Sequence, residues 1–455
     1  MTEQFDAIVI GMGPGGEVAA SRLLAAGRRV AVIERELIGG ECGYWACIPS
    51  KTLLRPPEAR GEVDRAAGVD GARLDWEATR AYRDDMIRHL DDSKQIDGYA
   101  EQGATVIKGT ARITGPGAVD ADGRSLTADD IIIATGSAAA LPPVEGLNTV
   151  PVWTNREATT LTDIPDRVVM LGGSAVGTEL GVFLHRFGAQ VTIVERSATL
   201  LSREEPRVGE ILGERMRADG IDVRTAANAT TAHRDGADTV ITLDDGTQLR
   251  CDIVVVGTGR TPRTTDLGLD TLGITPGGKG HIGVDEHCRA TEGVWAIGDV
   301  TAIMPFTHVA KYQARIVTDA ILGRPRPASY QGIPRVVFTD PEVAAVGLTR
   351  AQADQQGLHT ATVELDLANA IARPWTYEQN PQGHLGLLAD TDQGILLGAW
   401  AIAPMAGEWI HQAALAIRTR TPIEVLQDQV AQFPTYSEGF LAALDKLDLD
   451  AGRRG

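Results

Sequence analysis

A 31-residue segment occurs twice in this chain at a constant offset. FDAIVIGMGPGGEVAASRLLAAGRRVAVIER returns 161 residues later as DRVVMLGGSAVGTELGVFLHRFGAQVTIVER, so that Gly11 aligns with Gly172 and Glu34 with Glu195. Each copy begins with a short continuous apolar run, which is typical of a parallel strand covered on both faces. A glycine turn, a helical pattern and a second strand follow. The repeat therefore predicts two nucleotide-binding units.

Length and composition are those of a large globular α/β protein. The 455 residues predict about three domains. With 43% hydrophobic and 23% charged residues, collagen-like and low-complexity structures are excluded. The net charge of −18 repels phosphate backbones and anionic lipid heads, so we expect no nucleic acid or membrane partner. The absence of an apolar run of ~18 residues and of a signal-peptide pattern leads us to expect a cytoplasmic protein.

Glycine and proline positions suggest coarse domain boundaries. We predict a first nucleotide-binding part over residues 1–143, a second over 144–262, a central segment over 263–326 and a C-terminal domain over 335–455. The Pro-rich stretch 323–334 is the predicted linker.

The first glycine turn has the spacing of a dinucleotide-binding fingerprint. Gly11, Gly13 and Gly16 permit the tight turn, the approach of a pyrophosphate and close helix packing. The helix that follows offers free N–H groups to an anion. Glu34, at the end of the next strand, can accept hydrogen bonds from an adenosine ribose. In this setting the motif predicts a bound dinucleotide.

The second turn departs from the fingerprint. Between Gly172 and Gly177, Ser174 stands where the second glycine should be, and it could either crowd a pyrophosphate or bond to it. Glu195 favours the free 2′-hydroxyl of NAD, whereas the adjacent Arg196 could meet a 2′-phosphate. We expect NADH to be favoured slightly over NADPH.

Two of the four cysteines lie close together after the first unit. In GGECGYWACIPSK, five helical rises separate Cys42 from Cys47 by about 7.5 Å, beyond the ~7 Å that a disulfide allows. A bond here needs a distorted turn, which Gly43 could supply. A helix beginning near Pro49, together with Lys51, should lower the pKa of the Cys47 thiol. Buried structural thiols, or half of a metal site without a second cluster, are the alternatives.

The other two cysteines, Cys251 and Cys288, are expected to be packing residues. Four cysteines are too few for a disulfide scaffold. A close pair in a reducing compartment is more typical of catalysis or metal binding.

The segment GGECGYWACIPSK resembles the redox-active segment of the class I pyridine nucleotide-disulfide oxidoreductases, the family of dihydrolipoamide dehydrogenase, glutathione reductase and mercuric reductase. The resemblance covers nearly the whole chain, through both glycine turns, ATG from 134, GRTPRT from 259, GVWAIGDV ending at 300, FTHVAKYQAR from 306 and VVFTDPEVAAVGLT from 336. It implies two Rossmann-like dinucleotide-binding domains, for FAD and for NAD(P), plus a C-terminal α+β dimerisation domain. It also implies a homodimer in which each subunit completes the partner subunit's active site.

The resemblance implies a role for each residue of the redox centre. Cys42 would be the interchange thiol that faces substrate, and Cys47 would lie against the flavin. Lys51 would lie near flavin N5, ion-paired with Glu179. Electrons would pass from the nicotinamide by way of FAD and the cysteines to a small disulfide or thiol-reactive substrate, or in reverse from a dithiol.

The same resemblance implies a wider set of cofactor-binding residues. Asp299 would bond to the ribityl chain, and Thr110 and Ala111 would touch FAD near its adenosine. His308 matches the loop beside the flavin, with a purely structural histidine as the alternative. The other cofactor-binding positions implied are Gly11, Gly13, Gly15, Gly16, Glu34, Arg35, Gly40, Lys51, Ala134, Thr135, Gly136, Gly172, Ser174, Gly177, Glu195, Arg196, Gly259 and Gly298. No metal site is expected.

One segment near the C-terminus departs from the family pattern. The disulfide-reducing members carry HPTxxE, whose His serves the interchange thiol as acid and base and is oriented by the Glu. Here residues 433–438 read FPTYSE, with Phe433 in place of the His and Glu438 retained. General acid–base help is worth about 10²–10⁴-fold. Dihydrolipoamide or glutathione turnover should therefore be weak unless Tyr436 or Glu438 substitutes.

Several acceptors stay open. Mercuric reductases carry Tyr in place of this His and a C-terminal Cys pair, which this chain lacks, so mercury is disfavoured. Four aromatic residues could form a flat, apolar substrate mouth that suits a quinone: Tyr44, Trp45, Phe433 and Tyr436. The alternatives are a quinone or other acceptor reductase, dihydrolipoamide dehydrogenase itself, and a flavoprotein subunit of a larger complex.

Overall fold

The first part of the chain folds around a parallel sheet. The structure is a computed structural model that describes residues 2–449. The first elements are β1 (Glu3–Ile10), α1 (Pro14–Ala25), β2 (Val30–Glu34), α2 (Gly40–Tyr44), α3 (Cys47–Arg65), α4 (Trp76–Met86), α5 (Ser93–Glu101), β3 (Thr105–Lys108), β4 (Ala111–Gly115), β5 (Ala118–Ala121), β6 (Arg124–Ile133) and β7 (Ser137–Ala139). β1 lies between β2 and β6, parallel to both. The glycine turn after β1 therefore lies at the carboxyl edge of a buried sheet, where ligands bind in such folds.

The second part repeats this arrangement. Its elements are β8 (Val152–Trp153), α6 (Asn155–Thr159), β9 (Arg167–Leu171), α7 (Ala175–Arg186), β10 (Gln190–Val194), α8 (Pro206–Ala218), β11 (Asp222–Arg224), β12 (Ala229–Asp235), β13 (Asp238–Leu243), β14 (Gln248–Cys251), β15 (Ile253–Val256) and β16 (Arg260–Pro262). The parallel sheet has the order β11-β10-β9-β15-β8, and β12 to β14 form an antiparallel sheet beside it. β16 pairs with β7 and so joins the two parts.

The chain then returns to the first sheet. The returning elements are β17 (Arg289–Thr291), β18 (Val294–Ala296) and α9 (Thr307–Ile321). β18 adds in parallel to β6, which completes the order β17-β18-β6-β1-β2-β3. α9 packs closely on α1 at Gly15. A Cβ on Gly15 would lie only 3.3 Å from the Ala310 side chain of α9.

The C-terminal part is an antiparallel sheet covered by helices. Its elements are β19 (Pro334–Val337), β20 (Glu342–Gly347), α10 (Arg350–Gln355), β21 (Thr360–Asp366), α11 (Leu367–Ala370), α12 (Arg373–Tyr377), β22 (His384–Asp390), β23 (Ile395–Ala403), α13 (Ala406–Trp409), α14 (His411–Thr419), α15 (Ile423–Gln427) and α16 (Ser437–Asp445). The strand order is β19-β20-β23-β22-β21, with α14 against β23 and α16 against β22. The predicted fold class, two Rossmann-like units plus a C-terminal α+β domain, is confirmed.

Short 3₁₀ helices complete the secondary structure at Arg88–Leu90, Leu147–Thr149, Leu269–Leu272 and Gly298–Thr301. The predicted end of the C-terminal domain, 450–455, lies outside the described residues. Within residues 2–449, every helix is too short or too polar to cross a membrane.

Candidate active site

The first glycine turn is shaped by contacts that only glycine permits. Gly11 has φ +95°, and a Cβ there would lie 2.5 Å from the Ala134 oxygen. A Cβ on Gly40 would lie 2.8 Å from the Cα of Gly13, so the start of α2 packs on the turn. Gly13 caps α1 without any side-chain hydrogen bond. The N–H groups of the first helical turn are therefore free to bind an anion such as a pyrophosphate.

The carboxylate of Glu34 is fixed against this turn. Its Oε2 accepts a hydrogen bond from the Met12 N–H at 2.7 Å, and its Oε1 accepts one from the Glu36 N–H at 2.8 Å. Each oxygen keeps a further lone pair. Glu34 is thus oriented in advance and can still accept a hydrogen bond from a ribose, while its neighbour Arg35 is exposed.

The second glycine turn repeats this geometry with one change. Gly172 has φ +105°, and a Cβ there would lie 2.7 Å from the Gly257 oxygen. A Cβ on Gly177 would clash with the Gly172 oxygen. Ser174, the departure from the fingerprint, donates its hydroxyl to the Gly257 oxygen at 2.7 Å. The Ser174 side chain is therefore tied to the end of β15, and α7 begins without a side-chain cap.

Glu195 holds the position of Glu34 in the second unit. Its two oxygens accept hydrogen bonds from the N–H groups of Gly173 and Ser197, both at 2.7 Å. Arg196 is exposed and, within the described residues, makes no hydrogen bond or ion pair. The carboxylate is fixed at the end of β10, whereas the guanidinium of Arg196 is exposed.

The cysteine pair lies where the chain leaves one helix and enters the next. Both cysteines are free thiols. The break between α2 and α3 falls at Ala46, with φ −131° and ψ −96°. Gly43, the residue that could supply the turn for a disulfide, lies inside α2, and α3 begins at Cys47, two residues before Pro49. Across this break the side chains of Cys42 and Cys47 are close enough to affect each other's pKa.

The two thiols differ in acidity. Hydrogen bonding with the Cys47 sulfur, together with burial, raises the pKa of the Cys42 thiol. The same bond, then the Thr307 hydroxyl and the charge of Lys51, lowers the pKa of Cys47 to about 6 against the opposing effect of burial. The Thr307 Oγ1 atom lies 3.4 Å from the Cys47 Sγ atom. The proton therefore stays on Cys42 while Cys47 carries the negative charge.

An ion pair beside the thiols joins three parts of the molecule. Lys51 Nζ, on α3, lies 2.7 Å from Glu179 Oε2, on α7. The other Glu179 oxygen accepts the N–H of Phe338, after β19, at 2.9 Å. The Lys51 ammonium also lies 4.7 Å from the centre of the Phe338 ring. Sequence analysis did not single out Phe338.

Three predicted loops meet at the edge of the first sheet. Thr135 Oγ1 donates to the Arg263 oxygen at 2.7 Å. Ser137 Oγ donates to Asp299 Oδ2 at 2.5 Å, and Arg260 Nε donates to Ser137 Oγ at 2.6 Å. The remaining predicted positions lie on this edge or in the loops beside it: Gly136 accepts the Arg263 N–H, Gly259 accepts the Ala140 N–H, Gly298 donates to Gln313, Thr110 donates to Asp122, and Ala111 begins β4.

A cluster of four charged residues that sequence analysis missed includes Glu41, which directly precedes Cys42. Glu41 lies 2.6 Å from Arg156 and 3.1 Å from Arg263. Arg156 also forms a two-pronged ion pair with Glu36, with both contacts at 2.8 Å. Its guanidinium stacks 4.1 Å from the centre of the Trp45 ring. These contacts fix both ends of α2 against the second unit.

Thr307 and His308 occupy the first turn of α9. Thr307 contacts Cys47 although the two residues are 260 positions apart, so no local spacing could reveal the contact, even though Thr307 stands in the motif FTHVAKYQAR. His308 Nε2 lies 2.9 Å from the Pro334 oxygen, and its ring stacks on Phe306 at 5.2 Å. Burial lowers the pKa of His308. These contacts favour the structural alternative for His308.

The prediction that four aromatic residues line the substrate entrance is wrong for two of them, Tyr44 and Tyr436. Tyr44 is fully buried and donates its hydroxyl to the Ile38 oxygen at 3.1 Å. Tyr436 is 4% exposed and stacks on Trp409 in the C-terminal core. Phe433, by contrast, is 70% exposed. The flat surface proposed for a quinone is therefore not assembled within one subunit.

Neither suggested substitute for the histidine is set up as an acid–base group. The Tyr436 hydroxyl is buried and forms no hydrogen bond with any described residue, and burial raises the pKa of this group. Glu438 accepts the Thr435 N–H at 3.1 Å, which braces its own segment.

The remaining cysteines are packing residues. Cys251 and Cys288 are fully buried, and burial raises the pKa of each to about 11. Among residues 2–449, no group of three or more His, Cys, Asp or Glu side chains is placed to hold a metal ion.

Comparison with known sequences gives one family. Residues 5–314 match the pyridine nucleotide-disulphide oxidoreductase profile, and residues 333–444 match the dimerisation domain of that family. Mercuric reductase of Shigella flexneri is 35% identical over 97% of this chain and 80% of its own length. Mercuric reductase of Streptomyces lividans is 34% identical over 99% of this chain and 97% of its own length.

Solved structures of similar fold include a flavoprotein disulfide reductase. The Cu(II) complex of the HOCl-induced flavoprotein disulfide reductase RclA from Escherichia coli has a TM-score of 0.87, with 26% identity over 98% of this chain and all of that one. LpdA from Mycobacterium tuberculosis has a TM-score of 0.86, with 27% identity over 97% of this chain and 99% of that one.

Proposed function

The chain belongs to the pyridine nucleotide-disulphide oxidoreductase family, and from this premise we propose that it reduces a small disulfide or other thiol-reactive oxidant at Cys42 and Cys47. FAD, when bound, supplies the transfer of two electrons from NAD(P)H to the cysteine pair. The same residues could serve the reverse reaction, the oxidation of a dithiol. A homodimer with shared active sites completes the proposal and rests on the dimerisation domain.

The observation that best supports this proposal is that the two thiols have different pKa values. Cys42 keeps its proton and Cys47 is the thiolate, held by Thr307 and by the charge of Lys51. A dithiol poised in this way separates two tasks. Cys47 exchanges electrons with FAD, and Cys42 reacts with the oxidant.

Both cofactor sites fit their groups. The uncapped start of α1 and the carboxylate of Glu34 match the pyrophosphate and ribose of FAD. The uncapped start of α7 and the carboxylate of Glu195 match those of the nicotinamide cofactor. Because Glu195 is fixed and would repel a 2′-phosphate, we propose NADH as the preferred donor.

Anaerobic titration with NADH tests the relay. We expect a long-wavelength absorption band after two electrons, from the Cys47 thiolate beside oxidised flavin, and full reduction after four electrons. NADPH should give the same spectra at higher concentration. Bleaching of the flavin after two electrons, without the band, would show that the cysteine pair is inert and direct the search to quinones.

The pH dependence of that band follows from the acidity of Cys47. A thiol with its pKa lowered to about 6 is ionised at neutral pH and protonated as the pH falls below that value. We therefore expect the band to persist at neutral pH and to fade in acid with a midpoint near 6.

Matched substitutions in the two glycine turns separate the two cofactor sites. Gly11→Ala and Gly172→Ala each place a Cβ within 2.7 Å of a backbone oxygen at positive φ. Such strain costs about 1–3 kcal/mol, so ligand binding should weaken about 10-fold or more. We expect Gly11→Ala to lose FAD, and Gly172→Ala to keep FAD but respond poorly to NADH.

Gly246→Ala is the matched control, since Gly246 has φ +84° but open space around the added Cβ. Absorbance gives the FAD content per chain, and stopped-flow spectroscopy gives the rate of reduction by NADH. Loss of FAD in Gly172→Ala, with FAD retained in Gly11→Ala, would contradict the assignment.

Thiophilic metal ions are a second candidate class of oxidant. The relatives named mercuric reductase and the Cu(II) complex of RclA point to them. The observation in this chain is a pair of adjacent free thiols, one of them a thiolate, which soft metal ions prefer. NADH oxidation dependent on Hg(II) or Cu(II), and lost in Cys42→Ser, would support this class.

A further inference from the structure

The chain lacks the imidazole that would assist its interchange thiol. Phe433 replaces it, and neither Tyr436 nor Glu438 is set up for the task. Cys42 must nevertheless lose its proton before its sulfur can attack an oxidant. A cation close to Cys42 would favour the charged form of the thiol.

Helix α9, whose first residue contacts Cys47, carries a lysine one turn further along. Thr307 contacts Cys47 at 3.4 Å, and Lys311 lies four residues further along the same helix. Side chains at positions i and i+4 share one helix face. Lys311 is exposed and, in the part of the chain described, makes no hydrogen bond or ion pair. Its positive charge lowers the pKa of the Cys42 thiol, whereas Cys47 and burial raise this pKa by more.

A carboxylate on α1 accompanies this lysine. Glu17 stands two residues after Gly15, where α1 packs on Ala310 of α9. Burial raises the pKa of the partly buried Glu17, and the charges of Lys311 and Arg88 oppose this rise. Arg88 lies over the Tyr44 ring at 5.6 Å.

The other charges around the cysteines are already paired. Lys51 is bound to Glu179 on α7. Glu41, next to Cys42, is neutralised by Arg156 and Arg263. Among the described residues, Lys311 is therefore a cation without a hydrogen-bond or salt-bridge partner whose charge acts on Cys42, and Glu17 is the carboxylate that interacts with it.

We propose that Lys311 stabilises the Cys42 thiolate during reduction of a disulfide, in place of the imidazole that this chain lacks. The proposal rests on the proposed function, in which Cys42 is the interchange thiol. The Cys42 thiol gives its proton to water, and the Cys42 thiolate attacks one sulfur of the oxidant RSSR, forming a mixed disulfide and releasing RS⁻, which takes up that proton from water. The Cys47 thiolate then attacks the Cys42 sulfur and releases the second RS⁻. The Cys42–Cys47 disulfide forms, and RSSR gains two electrons.

The pH profile of Cys42 alkylation tests this role. The protein is reduced with a phosphine rather than with NADH, so that the measurement does not depend on electron transfer within the enzyme. Iodoacetamide labelling is followed by mass spectrometry at Cys42 and Cys47 separately. Lys311→Met should raise the apparent pKa of Cys42 by about 0.5–1 unit. Labelling of Cys42 at neutral pH should then slow about 3- to 10-fold.

Two further variants separate charge from structure. Lys311→Arg should restore the profile, because it keeps the charge. Glu17→Gln should shift the pKa of Cys42 downwards, opposite to Lys311→Met, because it removes a negative charge. Lys279→Met, at an exposed loop lysine, is the matched control and should change nothing.

An unchanged Cys42 profile in Lys311→Met would overturn the proposal, as would equal shifts in Lys311→Met and Lys311→Arg. Failure of the proposed function would look different. In that case the profile would still depend on Lys311, but NADH would produce no labelled Cys42 in the unsubstituted protein.

Discussion

Cys42→Ser is expected to lower NADH-dependent disulfide reduction by about 10³-fold or more, because loss of a nucleophile removes the whole reaction sequence that depends on it. The serine hydroxyl can neither form a mixed disulfide nor close a disulfide with Cys47. Turnover is measured as NADH consumption with lipoamide, cystine and glutathione disulfide as acceptors. Acceptors that take electrons directly from flavin, such as a quinone, should be reduced at nearly the original rate.

Cys251→Ser is the matched control, since Cys251 is buried in the second unit and takes no part in the relay. It should retain disulfide reduction in proportion to the folded protein. If Cys42→Ser kept full turnover with every acceptor that the protein reduces, the cysteine pair would be bypassed. The chain would then be an acceptor reductase of the quinone type.

The repeated unit could be predicted from sequence because its determinants are local. An apolar run, a glycine turn and a helical pattern within 31 residues specify strand, turn and helix. The positive φ of Gly11 and of Gly172 and the fixed carboxylate of Glu34 agree with that prediction.

The geometry of the cysteine loop could not be predicted, because distant residues determine it. The break at Ala46 follows Trp45, whose oxygen accepts hydrogen bonds from Asn155 and Thr159, more than 100 residues away. Arg156 covers the Trp45 ring. The conformational freedom of glycine pointed to Gly43 as the place for a distorted turn, whereas the break lies at Ala46, next to these tertiary contacts.

The sequence also could not predict which single aromatic side chains are buried. Tyr44 and Phe433 both flank the functional motifs, yet one is fully buried and the other is 70% exposed. Whether an aromatic ring packs inside or faces substrate depends on which helix or strand covers it. Sequence proximity to a motif does not carry that information.

Phe433→His is expected to raise disulfide reduction, or oxidation of dihydrolipoamide, by about 10-fold or more. This is part of the 10²–10⁴-fold that a positioned acid–base group supplies. The segment retains Pro434, Thr435 and Glu438, and the exposed Phe433 side chain can be exchanged without opening the core. Glu438 already braces the segment through one oxygen, which leaves the other to orient an imidazole.

The increase in activity of Phe433→His should depend on pH as the ionisation of a histidine does. The kcat/KM of Phe433→His should show an ionisation near pH 6.5 that the unsubstituted enzyme and the control Phe433→Ala lack. Glu438→Gln in the Phe433→His background should remove part of the gain. Because Lys311 is proposed to serve the same thiol, Lys311→Met should cost less turnover in the Phe433→His background than in the unsubstituted enzyme. Equal losses in the two backgrounds would mean that the imidazole and the ammonium act on different steps.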